Sequence, residues 1–137
     1  MQLLSVVLNG KVLSEADYCV TDESLTLGQL PEQFTLECKT LIKPEDNTSL
    51  EGLYRSRSMY CTQCEAEGFR RITYYLDRPD VMSEFVTTIE ADRELFPVLL
   101  SNGNLVSSGE LEAGRHFALF IDPFPKPSYL FALVAGE

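Results

Sequence analysis

Residues 61–70, CTQCEAEGFR, place two cysteines, a glutamine and two glutamates within one short segment. Side chains of these types can bind a metal, form a redox pair or hydrogen-bond a cationic ligand. The segment therefore raises three hypotheses, and each of them requires different partners elsewhere in the chain.

Zinc binding is the first hypothesis, because Cys61 and Cys64 have the spacing of a zinc knuckle. A structural zinc site needs four ligands. The other two cysteines, Cys19 and Cys38, do not form a second knuckle, and His116 is the only histidine. We therefore expect no metal site in this chain.

Redox or nucleophilic chemistry is the second hypothesis. A thioredoxin-type Cys-x-x-Cys pair follows a strand and opens a helix inside a βαβ unit, and the sequence shows no such unit. We expect Cys19, Cys38 and Cys61 to be small buried apolar residues instead. A catalytic Cys–His or Ser–His pair would have to use His116, which lies mid-strand without an activating motif, so we expect a structural or surface histidine there.

Ligand binding by Gln63 and Glu65 is the third hypothesis. Side chains alternate along an extended segment, so these two residues are predicted to share one face while Cys64 points to the other. A carboxamide and a carboxylate on one face can bind a single ammonium group. An ordinary polar strand edge explains the same residues, and chemistry alone favours that simpler explanation.

The elements that position this segment are predicted to be strands, because the apolar residues recur with a period of two. Asn9-Gly10 is typical of a type I′ hairpin turn. Only a short helical turn is expected, near EAEGFRRITYYL. The pattern predicts an all-β protein, built as an antiparallel sheet or a β-sandwich. Three segments carry an apolar face, formed by Phe34, Leu36, Cys38 and Ile42 in the first, by Phe85, Thr87, Ile89 and Ala91 in the second, and by Phe117, Leu119 and Ile121 in the third.

The last segment, Tyr129–Ala135, is apolar at nearly every position, which predicts a strand buried on both faces. The chain begins almost inside a strand and ends soon after this segment, so we expect a piece of a longer protein. A cut domain would leave open sheet edges and apolar surface, and we expect the piece to self-associate through them.

Composition narrows the function classes. The net charge of −10 repels phosphate backbones, so a nucleic-acid partner is not expected. The sequence has neither a leader peptide nor a run of about 18 apolar residues, so no membrane association is expected. Four cysteines without a secretory signal indicate reduced thiols and a cytoplasmic location.

Residues 47–81, NTSLEGLYRSRSMYCTQCEAEGFRRITYYLDRPDV, closely resemble the N-terminal β-domain of the bacterial aminopeptidase N family, which belongs to the gluzincin zinc aminopeptidases. The likeness continues through PVLLSNGNLVSSGELEAGRH and DPFPKPSYLFALVAG, and it is weakest before residue 47. Within the family it is greatest to the proteobacterial alanyl-specific type. The resemblance implies that residues 1–137 are a truncated, saddle-like N-terminal domain.

The resemblance also implies a role for the opening segment. In the family, the Gln and Glu of this segment line the first-residue pocket and hold the free α-amino group of the peptide, which makes Gln63 and Glu65 the expected substrate-binding residues. The family's His-Glu-x-x-His and Gly-Ala-Met-Glu-Asn strings do not occur here. We therefore expect a separate catalytic domain to be absent from this chain, together with its zinc.

The expected parent is a zinc aminopeptidase of peptide catabolism that removes N-terminal residues. Its partners are the peptide N-terminus and, for this domain, the parent's own catalytic domain. The fragment alone is expected to be inactive, without a cofactor or catalytic residue. The alternative is a stand-alone, non-catalytic β-sandwich binding module.

Overall fold

The computed structural model describes all residues 1–137 and contains twelve strands and no α-helix. No helix in it has the length and apolar character needed to cross a membrane. Three short 3₁₀ turns cover Pro44–Asp46, Phe69–Arg71 and Ser128–Leu130. The strands are β1 (Gln2–Leu8), β2 (Lys11–Val12), β3 (Tyr18–Val20), β4 (Leu25–Leu27), β5 (Leu36–Leu41), β6 (Gly52–Ser56), β7 (Met59–Gln63), β8 (Met82–Asp92), β9 (Val98–Ser101), β10 (Asn104–Glu110), β11 (Arg115–Pro127) and β12 (Leu133–Gly136).

The strands form four sheets, and every strand pair is antiparallel. The sheet orders are β2-β1-β5, β10-β11-β8, β6-β7-β12-β9 and the two-stranded β3-β4. The predicted all-β, antiparallel fold is confirmed. The helical turn at Phe69–Arg71 also lies within the segment where a short turn was predicted.

The turn between β1 and β2 has the predicted chemistry. Asn9 and Gly10 both have positive φ, 49° and 79°, and the strands pair directly beside them, with Leu8 opposite Lys11. Two consecutive residues with φ > 0 define the type I′ turn that an Asn-Gly pair favours.

The main core lies where the β10-β11-β8 sheet meets β9 and β12. Partly buried side chains, including those of Tyr60, Phe96 and Leu133, pack around it. Its five buried members are Ile89, Leu99, Ala118, Phe120 and Ala135.

Strands β8 and β11 test the alternation patterns. In β8 the predicted face is the less exposed one, and Ile89 is buried. In β11 the face named as apolar from the sequence is not the buried one, because Ala118 and Phe120 are buried while Ile121 is 38% exposed. The register places Ala118 opposite Ile89, so these two residues enter the core together.

The segment Tyr129–Ala135 is only partly a strand, which corrects the prediction. Its first residues belong to the 3₁₀ turn Ser128–Leu130, where Leu130 is 48% exposed. From Leu133 the chain forms β12, which pairs with β7 on one side and β9 on the other. Because β12 is an inner strand beside β7, it fixes the strand that leads into the CTQCEAEGFR segment.

Candidate functional site

Gln63 and Glu65 lie where β7 passes into a turn. Gln63 is the last residue of the strand, and Glu65 is already in the turn that follows. The prediction that both belong to one extended segment is therefore wrong. The expected alternation in exposure is nevertheless present, because Gln63 and Glu65 are exposed while Cys64 between them is only 2% exposed. The peptide bond that follows Glu65 is cis.

Two glycines allow this turn to close. The Gly68 amide donates to the Cys64 carbonyl at 2.9 Å. A Cβ on Gly68 would lie 2.3 Å from the Gln63 carbonyl oxygen and 2.9 Å from the Gly52 nitrogen, distances that no side chain tolerates. Gly52, with φ of 76°, is the residue paired with Gln63 in β6. The close approach of two backbones thus requires glycine at position 68.

Phe69 anchors the turn from its C-terminal side. The side chain is buried and forms edge-to-face contacts with Tyr75 at 5.1 Å, Phe131 at 5.2 Å and Phe85 at 6.0 Å between ring centroids. Aromatic pairs in this geometry contribute about 0.5–1.5 kcal/mol each beyond burial. The turn is therefore attached to β8 and to the residues before β12.

Asp77 forms a polar anchor next to this aromatic cluster. Its carboxylate accepts hydrogen bonds from the Arg70 backbone amide at 3.0 Å, from Arg70 Nε at 3.1 Å and from the Ser128 hydroxyl. Arg70 Nη2 in turn donates to the Asp77 carbonyl at 2.8 Å. Asp77 and Ser128 are 7% and 1% exposed, so this buried charge is fully hydrogen-bonded, as buried charges must be.

The electrostatics of the anchor follow from its contacts. Burial of Asp77 favours the neutral acid, but the hydrogen bonds from Ser128 and Arg70 outweigh it and hold the pKa of the carboxyl below its usual value. Burial, and next the nearby Asp77 charge, raise the pKa of the Cys64 thiol to about 11. Asp77 is therefore ionised and Cys64 is a neutral thiol at pH 7.

Gln63 and Glu65 take no part in this network. Neither side chain makes a hydrogen bond or ion pair within the chain, whereas Glu67 lies 3.7 Å from Arg70 Nη2. The turn thus presents an unpaired carboxamide and an unpaired carboxylate to solvent, on a backbone that is anchored from beneath. Chemically, such a pair can accept hydrogen bonds from a cation.

The cysteines are distributed differently from the prediction. Cys19 is exposed, Cys38 and Cys61 are half-buried, and Cys64 is the buried one. Cys19 lies in the small β3-β4 hairpin, which has too little covering structure to bury it. No three His, Cys, Asp or Glu side chains come together in a metal-binding group.

His116 has a structural partner, as predicted. Its Nε2 forms a 2.7 Å hydrogen bond with the Phe96 carbonyl, which joins β11 to the loop before β9. No pattern in the sequence predicted Asp77, Ser128 and Phe69, which hold the candidate site in place. The 51 residues between Asp77 and Ser128 leave no local pattern that could have paired them.

Comparison with known families and curated proteins gives consistent matches. Residues 9–130 match the model of the peptidase M1 N-terminal domain. The chain is 55% identical to aminopeptidase N of Caulobacter vibrioides over its whole length and to aminopeptidase N of Haemophilus influenzae over 99% of its length. It spans only 16% of the length of each of these relatives.

Solved structures give the same picture. Legionella pneumophila aminopeptidase A, in complex with aspartic acid, superposes with a TM-score of 0.94 at 44% identity, over 98% of this chain and 16% of that one. An M1 zinc metallopeptidase mutant from Deinococcus radiodurans, bound to a Tyr-Ser-Ala substrate, superposes with a TM-score of 0.78 over 98% of this chain and 32% of that one. At 16% identity, the second likeness concerns the fold alone.

Proposed function

The chain belongs to the peptidase M1 N-terminal domain family, and from this premise we propose that it is the substrate-recognition domain of a zinc aminopeptidase. The complete enzyme would remove single residues from the N-termini of peptides. Within it, this domain contributes Gln63 and Glu65 to the first-residue pocket and packs against the catalytic domain. It performs no catalysis by itself.

The chemistry of recognition follows from what an exopeptidase must distinguish. A free N-terminus carries an ammonium group, whereas a peptide bond in mid-chain does not. A carboxylate at a fixed position selects the ammonium by charge, and a neighbouring carboxamide oxygen accepts a further N–H. We assign the carboxylate to Glu65 and the carboxamide to Gln63.

One observation carries this assignment. Glu65 and Gln63 are exposed and unpaired on a turn whose backbone is held by Cys64, Gly68, Phe69 and Arg70. A surface polar edge without a ligand has no need for such anchoring, whereas a binding site requires its groups to be held in position. The 55% identity to proteins called aminopeptidase N supports the activity proposed for the complete protein.

Zinc chemistry cannot come from these residues. The chain contains a single histidine, and its Cys, Asp and Glu side chains form no cluster that could complete a zinc site. The zinc of the proposed enzyme would be bound by residues outside these 137. This domain therefore contributes by positioning the substrate and by pairing with the charge of its ammonium group.

Steady-state kinetics on the complete enzyme tests the proposal. Glu65→Ala and Glu65→Gln are expected to lower kcat/KM on an aminoacyl substrate, because each leaves the substrate ammonium without its counter-charge. Truncating one partner of a desolvated charge pair costs about 2–5 kcal/mol. At about 1.4 kcal/mol per factor of ten, the expected loss is roughly 30-fold to several-thousand-fold.

Glu67 provides the matched control. It lies two residues further along the same turn and is 73% exposed, and its only contact is the long one with Arg70. Glu67→Ala should therefore keep near-normal kcat/KM. Near-normal kcat/KM in both Glu65 variants, or a large loss of kcat/KM in Glu67→Ala, would show that the ammonium is bound elsewhere.

The complete reading frame distinguishes this proposal from a stand-alone binding module. The relatives are several times longer than this chain, which supports the enzyme. A frame that continues into a His-Glu-x-x-His segment would agree with it, whereas a natural stop codon after Glu137 would favour the module. We propose a cytoplasmic location on the basis of the four free thiols.

A further inference from the structure

We propose that Asp77 is a positioning residue, which holds the turn bearing Gln63 and Glu65 in the orientation that binding of the substrate amine requires. This role rests on the function proposed above. It assigns a task in substrate binding to a buried group that touches no substrate.

The turn cannot hold its own orientation through the side chains at its tip. Glu65 makes no intramolecular contact through its carboxylate, and Glu67 makes only the 3.7 Å approach to Arg70. Within the turn, the single backbone hydrogen bond from Gly68 to Cys64 closes the loop. The direction in which the tip points is therefore set by the residues that flank it.

Asp77 binds the C-terminal flank of the turn at three points. Its carboxylate accepts from both the backbone amide and Nε of Arg70, and its own carbonyl accepts from Nη2 of the same guanidinium. A planar guanidinium held by several acceptors has one orientation only. The backbone of Arg70, five residues after Glu65, is fixed by these contacts.

Asp77 also connects this flank to the strand beneath the site. The Ser128 hydroxyl donates to the other carboxylate oxygen, and Ser128 opens the 3₁₀ turn that leads into β12. Strand β12 pairs with β7, with Val134 opposite Cys61. One carboxylate therefore ties together the chain that enters the turn, through β12 and β7, and the chain that leaves it.

The N-terminal flank is held by burial and by the closing hydrogen bond of the turn. Cys64 is buried directly before Glu65, and its carbonyl accepts the Gly68 amide at 2.9 Å. Loss of the Asp77 charge would leave the Arg70 guanidinium and the Ser128 hydroxyl poorly paired, which would loosen the C-terminal flank and its link to β12. A displacement of about 1 Å far from the reacting atoms can cost about 100-fold in rate.

A double-mutant cycle in the complete enzyme tests the proposal. Asp77→Asn keeps the shape of the side chain and removes its charge, and we expect kcat/KM on an aminoacyl substrate to fall by about 10- to 100-fold. In a Glu65→Gln background, the same substitution should lower kcat/KM by less than about threefold, because the group it positions is already disabled. Asp80→Asn is the control, since Asp80 pairs with Arg78 at the surface of the same loop and is 73% exposed.

The outcomes separate the two proposals. A large loss of kcat/KM in Glu65→Gln together with normal kcat/KM in Asp77→Asn overturns the positioning role alone. Near-normal kcat/KM in Glu65→Gln overturns the proposed function itself. Equal losses from Asp77→Asn in both backgrounds would mean that Asp77 merely stabilises the fold, which also overturns the positioning role. If Asp77→Asn does not fold, Ser128→Ala takes its place in the cycle. We then expect kcat/KM to fall several-fold in the wild-type background and by less in the Glu65→Gln background. No loss, or an equal loss in both backgrounds, would rule out the positioning role.

Discussion

Cys64 shows how burial sets the chemistry of a single residue in this domain. Cys64 is 2% exposed, and its burial, followed by the charge of Asp77, raises the pKa of its thiol to about 11. Since the thiolate is the reactive species, Cys64 is inert at neutral pH. The Cys-x-x-Cys spacing that suggested metal or redox chemistry therefore has a packing role at this position.

The raised pKa makes stability depend on pH in the alkaline range. Below the ordinary thiol pKa of 9.0, Cys64 is protonated in both the folded and the unfolded chain, so its contribution is fully present. As the pH rises from about 9 towards about 11, the unfolded chain loses the proton first and folding becomes less favourable. A difference of about two units between the folded and unfolded pKa values corresponds to about 2–3 kcal/mol of unfolding free energy.

We expect the free energy of unfolding, measured with urea between pH 8 and pH 11, to fall by about that amount more in the wild-type chain than in Cys64→Ala. The two proteins are compared by the change of their unfolding free energy with pH, so the pH-independent cost of the cavity that alanine leaves cancels. Identical slopes for the two proteins would contradict the account of Cys64.

At the scale of elements, the turn after β7 depends on one close backbone approach. An alanine Cβ at position 68 would meet backbone atoms of Gln63, Cys64 and Gly52 at 2.3 to 2.9 Å, and none of these can move without disturbing a strand. Gly68→Ala is expected to destabilise the 137-residue chain by about 1–3 kcal/mol or more in urea unfolding.

Gly28→Ala is the matched control for this substitution. Nothing lies within 4 Å of a Cβ at Gly28, and its φ is not in the left-handed region. We expect Gly28→Ala to change the free energy of unfolding by less than about 1 kcal/mol, and any change to be an increase. An equal effect of the two alanines would mean that the turn is not closed by this contact.

The strands show what the sequence could predict. In β8, polar residues alternate with apolar ones, so the inner face is readable from the sequence. In β11, five consecutive apolar residues, 117–121, make both faces apolar, and only the pairing of Ala118 with Ile89 decides which face is inside. The period of two is therefore sufficient where a strand has one polar face and insufficient where it has none.

The candidate site shows the same division. Gln63 and Glu65 are near one another in the sequence, so their types and spacing suggest a shared ligand, and the role proposed for them follows from the family resemblance. Asp77 and Ser128 meet only because β11 returns the chain beneath the turn. Contacts between residues so distant in sequence follow from tertiary structure alone.

At the scale of the whole molecule, the chain combines a small core with a large apolar surface. Only 15 of 137 residues are buried, while Phe124, Leu76 and Val86 are 75%, 68% and 66% exposed. Val86 lies opposite Ile121 on the outer face of the β10-β11-β8 sheet, which makes an exposed apolar pair. Such surface favours contact with another protein surface.

The isolated 137-residue chain is expected to self-associate through this pair, and more strongly at high salt. Each copy carries a net charge of −10, so repulsion opposes association until salt screens it. Sedimentation velocity should therefore show a larger average mass at about 0.5 M salt than at about 0.02 M, where the screening length is several times longer.

Val86→Lys should reduce the association. Thr88→Lys makes the same charge change at an exposed position two residues along the same face of β8 and should not reduce it. A monomer at every salt concentration would contradict the prediction, and equal effects of the two lysines would show that contact occurs elsewhere.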